Sequence, residues 1–328
     1  MKFQALLLQK NESEISCDLV TLEDQDLMQG DVTVRVEYSS INYKDGLALT
    51  GKIPVVRKYP LIPGIDFAGT VLESSNSEFS VGDRVLLNGW GVGEAHHGGF
   101  SEIARVPGKW LTRIPSSLSA RECMALGTAG YTAMLSVLAL QSRGVEPKDG
   151  PILVTGASGG VGSVSIGLLS SLGYTVWAST GKLAEADYLC SLGAAEVIER
   201  AALSRPGKQL DKEKWAGVVD SVGSHTLVNA IAQTRYGGTV TACGLAQGLD
   251  LPGSVAPFIL RGVSLLGIDS VNQPASRRDE AWGALEKLVD RQKLMQTVTE
   301  VSLAEVPGVA ARIVQGHVRG RTVVNIPA

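Results

Sequence analysis

A glycine-rich turn between an apolar strand and an apolar helix constrains the fold of this chain more than any other feature. The turn, G-A-S-G-G-V-G at residues 156–162, follows the apolar run 152–155 and precedes a helix-compatible run at 163–172. Glycine permits the tight bend, and without a Cβ it lets a ligand approach the backbone amides at the start of the helix. Strand, turn and helix together are typical of the parallel βαβ unit that binds a dinucleotide. Because the glycines depart from the strict G-x-G-x-x-G order, the prediction depends also on the flanking elements.

The next apolar run, 174–178, predicts the second parallel strand, and the residues after it indicate which dinucleotide is bound. A ribose with a free 2′-hydroxyl is usually held by an acid at this point, about 20 residues after the turn. This chain instead has Ser179, Thr180, Gly181 and Lys182. Two hydroxyls and a cation suit a 2′-phosphate, so we expect NADP(H) rather than NAD(H). The alternative interpretation is a polar turn whose lysine is solvated.

Composition argues against several function classes. The chain has 328 residues, enough for two domains, with 19% charged residues and a net charge of −3. No basic face is visible, so we expect no nucleic-acid partner. The apolar run at 3–8 is too short for a secretory signal, and the breaks within 152–178 fit a buried βαβ unit better than a membrane span. Four cysteines without a C-x-x-C pair predict free thiols, so we expect a cytoplasmic protein.

The order of predicted elements divides the chain into two domains. Short strand patterns in the first part, such as V-T-V-R-V-E-Y at 32–38, alternate with Pro- and Gly-rich turns and are typical of a partly open β-barrel. A helical run at 119–140, with a break near Gly127 and Gly130, leads into alternating strands and helices that predict a doubly wound parallel sheet. We expect parallel strands at 152–155, 174–178, 195–198, 216–220, 238–243 and 263–268, and helices at 161–172, 183–192, 224–234 and 276–293.

The fold class expected is therefore α/β, with a Rossmann domain inserted into a β-rich catalytic domain. We assign residues 126–254 to the Rossmann domain and residues 1–125 and 255–328 to the catalytic domain. The alternating residues near 320–326 predict a last strand that returns to the catalytic domain.

Four local motifs carry a resemblance to a known family. They are I-N-Y-K-D at 41–45, P-G-I-D-F-A-G at 63–69, V-G-D-R-V at 81–85 and T-G-A-S-G-G-V-G at 155–162. Over essentially the whole chain, this set resembles the medium-chain dehydrogenase/reductase superfamily, and within it the acryloyl-CoA reductase group of the zinc-independent quinone oxidoreductase branch. The resemblance implies a GroES-like barrel as the catalytic domain, an NADP(H)-binding Rossmann domain, and a homodimer that pairs through an edge strand within 255–270.

The sequence gives no reason to expect a metal. The resemblance implies that zinc-dependent relatives place a Cys ligand where this chain has N-Y-K at 42–44, and a His where it has G-I-D at 64–66. The stretch 18–122 contains no cysteine, so a cysteine-rich structural lobe is missing. The adjacent pair His96-His97 would point to opposite faces of a strand, which does not suit a tetrahedral zinc site.

Without a metal, hydride addition to an activated C=C bond is an easier reaction than alcohol oxidation, which needs a Lewis acid or an acid/base pair. The candidate catalytic residues are Tyr43, Asn42 and Asp66. The resemblance implies that Tyr43 lies beside the nicotinamide, where its hydroxyl donates a hydrogen bond or a proton, or its ring packs. Asn42 either polarises a carbonyl or caps its own backbone. Asp66, among apolar neighbours, is either paired with Lys44 or an arginine, or shifted in pKa, and a structural role is as open as a catalytic one.

The cofactor candidates lie in the glycine turn and at strand ends, since ligands of a parallel sheet lie outside the carboxyl ends of its strands. Arg200 is expected to reach the 2′-phosphate, and the resemblance implies contacts from Ile259 and Asn325. Ordinary packing or solvation is the alternative for each. The expected cofactor-binding residues are Tyr43, Ser158, Gly159, Gly160, Val161, Thr180, Gly181, Lys182, Arg200, Leu245, Ile259, Ser270 and Asn325.

The resemblance and the chemistry together predict an NADPH-dependent reductase of a short 2-enoyl-CoA, with acryloyl-CoA to propanoyl-CoA as the favoured reaction. Candidate cations for the CoA phosphates are Arg57-Lys58, Arg261 and Arg277-Arg278. The alternatives are a general NADPH quinone or enone reductase, a non-catalytic NADPH-binding sensor, and a zinc alcohol dehydrogenase.

Overall fold

The computed structural model describes residues 1–12 and 14–327. In chain order the strands are β1 (Lys2–Asn11), β2 (Glu14–Glu23), β3 (Val32–Ile41), β4 (Asp66–Ser74), β5 (Arg84–Asn88), β6 (Ile103–Val106), β7 (Thr112–Arg113), β8 (Ile152–Val154), β9 (Val176–Thr180), β10 (Ala194–Glu199), β11 (Trp215–Asp220), β12 (Thr234–Ala242), β13 (Ser264–Gly267), β14 (Val298–Val301) and β15 (Arg321–Asn325). The α-helices are α1 (Tyr43–Thr50), α2 (Ala120–Ser142), α3 (Gly160–Ser171), α4 (Ala186–Leu192), α5 (Ser224–Ala232), α6 (Ala256–Arg261), α7 (Ala275–Leu288), α8 (Arg291–Gln296) and α9 (Val306–Val314).

The chain divides into two units. The first comprises Met1–Thr128, Ser270–Glu286 and Met295–Ala328, and the second comprises Ala129–Asp269 and Lys287–Leu294.

The first unit is built on a mostly antiparallel sheet in the order β14-β15-β3-β4-β5-β7, with β6 also paired to β3. The alternation at 32–38 predicts β3, and the prediction is confirmed: Val34 and Val36 are buried in the core while Arg35 between them is exposed. These valines belong to a core that includes Phe67 and Phe100. The last strand, β15, pairs with β3, so the end of the chain lies beside residues 38–41.

The second unit is built on a parallel sheet in the order β10-β9-β8-β11-β12-β13. Every residue of β11 is buried, as expected for a central strand covered on both faces. From β8 the chain continues outward through β9 and β10, then returns to β11 on the other side of β8. The predicted doubly wound sheet is therefore confirmed, and the switch point lies beside β8, where the glycine turn begins.

Helix α2 is interrupted at Gly127, which has φ +53° and ψ −158°. The predicted break near Gly127 and Gly130 is confirmed, and it lies at Gly127. By length and composition α2 could cross a membrane, but 89% of its most apolar window is buried inside the fold. This burial is that of a core helix.

Several boundaries differ from the sequence-based expectation. The helix expected at 276–293 is two helices, because the Asp290 carboxylate accepts a hydrogen bond from the Lys293 amide (3.0 Å) and caps a new start at α8. The helix expected at 183–192 begins with a 3-10 turn, Leu183–Glu185, before α4. The second unit extends to Asp269, rather than to 254, because β13 pairs with β12. The sequence pattern did not indicate β2, β6, β7 or β14.

Candidate active site

The glycine turn closes tightly between β8 and α3. Gly156 has φ +59°, and a Cβ on Gly162 would lie 2.4 Å from the Gly156 carbonyl oxygen. The last glycine of the turn therefore lets the helix pack directly against the bend. The expected residues Ser158, Gly159, Gly160 and Val161 all lie in this bend or in the first turn of α3, a helix of 12 residues. Backbone amides at the amino end of such a helix bind a pyrophosphate.

A cluster of hydroxyls and cations forms at the carboxyl end of β9. The buried Thr180 hydroxyl accepts a hydrogen bond from the Lys182 amide (3.0 Å) and lies 3.3 Å from the Ser158 hydroxyl. A Cβ on Gly181 would lie 2.9 Å from Cζ of Arg200, so the Arg200 guanidinium rests against this backbone. Within the part of the chain that the structure describes, that guanidinium makes no hydrogen bond or ion pair. The structure thus brings together an unpaired cation, a lysine and hydroxyls, which suits an anionic group.

Asp220, which the sequence pattern did not single out, anchors the glycine turn from the neighbouring strand. Its buried carboxylate, at the end of β11, accepts hydrogen bonds from the Thr155 hydroxyl (2.6 Å) and the Gly223 amide (2.8 Å). Burial raises the pKa of Asp220, although these hydrogen bonds favour its ionised form. The available signal was an acid that ends an otherwise apolar strand, A-G-V-V-D at 216–220.

The remaining cofactor candidates are more dispersed. Leu245 follows Gly244 and lies close to the loop after β11, since a Cβ on Gly223 would be 3.4 Å from its Cα. Ile259 lies on α6 and is 74% exposed. Ser270 and Asn325 belong to the first unit, where the Asn325 amide donates a hydrogen bond to Glu300 (2.8 Å).

In the first unit, Tyr43 begins α1 and Asn42 caps it. Asn42 and Asp45 form a capping box: the Asp45 amide donates to the Asn42 side chain, and the Asn42 amide donates to Asp45 Oδ2 (2.8 Å). Both side chains are buried, whereas Tyr43 is 36% exposed. Lys44, considered above as a partner of Asp66, instead pairs with Glu94 at 2.8 Å. Tyr43 is therefore an accessible residue at a firmly capped helix start.

The fully buried Asp66 carboxylate is surrounded by donors. Oδ1 accepts hydrogen bonds from the Ser40 amide (3.1 Å) and the Ser40 hydroxyl (2.8 Å). Oδ2 accepts from Asn42 Nδ2 (2.9 Å) and the Thr128 amide (2.8 Å). Because Asn42 both caps α1 and donates to Asp66, its amide group is already engaged on both atoms. The geometry therefore favours the capping alternative for Asn42.

A buried arginine that the sequence pattern did not single out completes the cluster. Arg321, at the start of β15, donates to the Ser40 hydroxyl (2.7 Å), to Asn42 Oδ1 (3.3 Å) and to the Ala125 carbonyl (3.0 Å). Burial lowers its pKa, and the nearby Asp66 and Asp45 charges oppose that shift. We refer to Ser40, Asn42, Asp45, Asp66 and Arg321 as the Asp66 cluster.

Asp45 is the second buried acid of this cluster. Its Oδ1 accepts a hydrogen bond from the Ile65 amide (3.0 Å). Burial, together with the neighbouring charge of Asp66, raises the pKa of Asp45 to about 7.

Comparison with known proteins places this chain and its fold in one family. The alcohol dehydrogenase GroES-like domain matches residues 28–116, and the zinc-binding dehydrogenase family matches residues 160–289. The chain is 50% identical to the probable acrylyl-CoA reductase AcuI of Escherichia coli, over 98% of this chain and 99% of that protein. It is 48% identical to the acrylyl-CoA reductase AcuI of Ruegeria pomeroyi, over 99% and 100%. The chain belongs to the medium-chain dehydrogenase/reductase family.

Solved structures agree with that membership and with the quinone oxidoreductase branch. The yhdH oxidoreductase of Salmonella enterica, solved in complex with NADP, superposes with a TM-score of 0.97 at 49% identity and covers 99% of this chain and 100% of that one. The yhfP protein of Bacillus subtilis, solved with NAD bound, gives 0.95 at 45% identity with the same coverage. The expected GroES-like and parallel-sheet architecture is thereby confirmed.

The family description mentions zinc, but the Asp66 cluster does not fit that metal. Zinc takes Cys, His or carboxylate ligands in a tetrahedral arrangement, whereas the groups that face Asp66 are donors: a hydroxyl, an amide NH2 and backbone N–H groups. The nearby Arg321 guanidinium already supplies the cluster with a cation. Among residues 1–12 and 14–327, no group of three or more His, Cys, Asp and Glu side chains is arranged to hold a metal.

The arginines considered for CoA phosphates differ in availability. Arg278 is 2% exposed, donates to the Asn88 and Val271 carbonyls at 2.7 Å each, and lies 4.7 Å from the Trp90 ring centroid. Arg261 donates to backbone carbonyls and pairs with Glu213, and Arg277 pairs with Glu280. The exposed pair Arg57-Lys58 remains open to an anion.

Proposed function

We propose that this protein is an NADPH-dependent reductase that saturates the C=C bond of a short 2-enoyl-CoA, with acryloyl-CoA to propanoyl-CoA as the reaction. The observation that carries the proposal is the identity of about half of all residues, over nearly the full length of both chains, to proteins named acrylyl-CoA reductase. The cluster at the end of β9 supports NADPH as the reductant.

The residues of the second unit fit this cofactor. The turn amides and Ser158 would hold the pyrophosphate, while Thr180, Lys182 and Arg200 would hold the 2′-phosphate. Further contacts are proposed, from the family resemblance, for Tyr43, Leu245, Ile259, Ser270 and Asn325. When bound, NADPH supplies a hydride from C4 of its nicotinamide.

The first unit would orient the enoyl thioester. Its carbonyl withdraws electrons, so the β-carbon accepts the hydride and the α-carbon accepts a proton, which together saturate the double bond. Tyr43, exposed at the start of α1, is the proposed donor toward the thioester oxygen or the α-carbon. Asn42 and Asp66 are proposed to hold this helix start in place, because their polar atoms already bond to each other and to the backbone.

Steady-state kinetics test the reaction directly. We expect kcat/KM with acryloyl-CoA and NADPH to exceed that with a small quinone or a simple enone. A large preference for the quinone would replace this proposal by a general quinone reductase. Tight NADPH binding without oxidation by any of these acceptors would indicate a non-catalytic sensor.

The cofactor preference has its own test. Arg200→Ala removes a charge-assisted contact worth about 1.5–3 kcal/mol, so NADPH affinity should fall about 10- to 150-fold while NADH affinity stays unchanged. Arg205→Ala, at an exposed arginine five residues along the chain, is the matched control. Equal affinity of the Arg200→Ala and Arg205→Ala variants for NADPH would remove Arg200 from the site.

We also propose that the protein is a cytoplasmic homodimer that pairs through β13. This strand pairs with β12 and ends the path of the parallel sheet, and large apolar side chains lie exposed in the preceding segment, including Leu249 at 81% and Leu260 at 62%. Free thiols at all four cysteines support the reducing compartment. Sedimentation velocity should give a dimer that Leu260→Asp dissociates and Val81→Asp, an equally exposed change in the first unit, does not. A monomeric wild-type protein would contradict the proposal.

A further inference from the structure

The Arg321 guanidinium is buried where strand β15 lies against the end of β3. It is 3% exposed and reaches from β15 to the Ser40 hydroxyl at 2.7 Å and to the Ala125 carbonyl at 3.0 Å. The register of β15 against β3 pairs Thr322 with Ile41, which places Arg321 beside the residue that precedes α1. Burying a guanidinium costs free energy unless its donors are hydrogen-bonded and its charge is compensated. The neighbours of Arg321 must therefore supply acceptors and a negative charge.

The backbone of α2 is shaped to admit this side chain. A Cβ on Gly127 would lie 2.4 Å from an Arg321 Nη atom and 2.5 Å from the Ser40 hydroxyl. Gly127 also adopts φ +53°, which interrupts the helix. The amide of the next residue, Thr128, then donates to Asp66. A break in the helix therefore provides both the space for the guanidinium and a donor for its counter-charge.

The cluster holds Asn42 from two sides. Arg321 donates to Asn42 Oδ1 (3.3 Å), and Asn42 Nδ2 donates to Asp66 Oδ2 (2.9 Å). The same Oδ1 accepts the hydrogen bond that caps α1. The orientation of the Asn42 amide thus fixes where α1 begins, and Tyr43 is the first residue of that helix.

We propose that Arg321 is a positioning residue that, through Asn42 and the Asp66 counter-charge, fixes the start of α1 and with it Tyr43. Without the guanidinium, Asn42 Oδ1 loses a donor, and the two buried acids lose their shared positive charge. The first turn of α1 then becomes mobile, although the residues that bind NADPH in the second unit are untouched. The kinetic part of this inference rests on the proposed function; the structural part does not.

The test compares Arg321→Met with Arg278→Met. Arg278 is equally buried in the same unit and donates to three backbone carbonyls, but it makes no hydrogen bond to Asn42 or Asp66 within the described residues. Hydrogen exchange of the peptide covering 43–50 should become about tenfold faster or more in Arg321→Met and stay at the wild-type rate in Arg278→Met. In the reductase assay, kcat of Arg321→Met should fall on the order of 10- to 100-fold, with KM for NADPH within about twofold of wild type.

The outcomes separate the two proposals. Wild-type exchange in α1 and wild-type kcat for Arg321→Met would overturn the positioning role, as would equal effects of the two arginine variants. If α1 exchanges faster in Arg321→Met but the wild-type protein reduces no enoyl-CoA, the proposed function is overturned and the positioning role stands. If Arg321→Met does not fold, Arg321→Lys takes its place, because an ammonium keeps the charge but cannot donate to all three acceptors in the guanidinium geometry.

Discussion

The glycine turn of the second unit and the Asp66 cluster of the first are both polar, but they differ in how much of their hydrogen-bonding capacity is used. Beside the turn, the Arg200 guanidinium makes no hydrogen bond or ion pair with any residue the structure describes. The first amides of α3 have no partner within the helix. In the Asp66 cluster, Ser40, Asn42 and Arg321 all bond to one another or to the backbone. Open capacity is what a ligand site needs, whereas used capacity holds a conformation. The comparison therefore supports the proposals that the turn recognises the cofactor and that the cluster positions α1.

The largest effect is expected when a hydrogen-bond acceptor of the Asp66 cluster is removed. Asp66→Asn replaces an acceptor by an NH2 group that faces the Asn42 and Thr128 donors, and it leaves Arg321 without its counter-charge. Each buried donor that loses its acceptor in this way costs about 1–3 kcal/mol. Calorimetry should show a markedly lower melting temperature, while Asp18→Asn, at an exposed position on β2, should leave it unchanged. Equal melting temperatures for the two variants would mean that the cluster contributes nothing to stability.

The glycine turn should respond in cofactor binding as well as in stability. Gly162→Ala puts a Cβ 2.4 Å from the Gly156 carbonyl oxygen, so α3 must shift away from the bend. Overpacking of this kind costs about 1–3 kcal/mol of folding stability. The shift also displaces the amides proposed to hold the pyrophosphate, and the loss of one charge-assisted hydrogen bond, about 1.5–3 kcal/mol, would weaken the Kd for NADPH roughly 10- to 150-fold. Gly167→Ala lies in the same helix and meets nothing within 4 Å, so it should bind normally and gain about 0.5–1 kcal/mol of stability. Isothermal titration of both variants decides; unaltered NADPH binding by Gly162→Ala would contradict the packing argument.

The glycine turn and the Asp66 cluster also differ in how much of each the sequence alone could predict. The β8–turn–α3 unit is contiguous, so its residue types alone indicated strand, bend and helix, and the run after β9 indicated the residues proposed to bind the 2′-phosphate. Asn42 and Asp45 also stand at capping-box spacing, which is a local signal for the start of α1. Arg321 lies 279 residues from Asn42, and their contact depends on the register of β15 against β3. An arginine at the start of an apolar strand carries no sign of that register, so the sequence pattern could not find it.

The pH dependence of stability separates the cluster from ordinary surface acids. Burial raises the pKa of Asp45 to about 7, whereas an unfolded Asp ionises near 3.8. Between these values the folded state holds a proton that the unfolded state has lost, so stability falls as the pH rises from about 4 to about 7 and is flat above. Asp45→Asn removes this dependence. Relative to the wild type, its free energy of unfolding should therefore increase by up to about 1.4 kcal/mol for each pH unit in that window. Urea unfolding at several pH values measures the difference in the free energy of unfolding between the two proteins. A difference that does not change with pH would show that the pKa of Asp45 is not raised.

The smallest effect is expected at the Lys44–Glu94 ion pair. Lys44 is adjacent in sequence to Asp45 of the cluster, but the pair is partly exposed to solvent. Its ammonium and carboxylate are 2.8 Å apart, with the two side chains 36% and 14% exposed. Partly solvated pairs of this kind contribute less than about 1 kcal/mol and are screened by salt. Glu94→Gln should therefore lower stability slightly at low ionic strength and not at all in high salt, with kcat unchanged. A loss of kcat comparable to that expected of Arg321→Met would place Lys44 among the positioning groups.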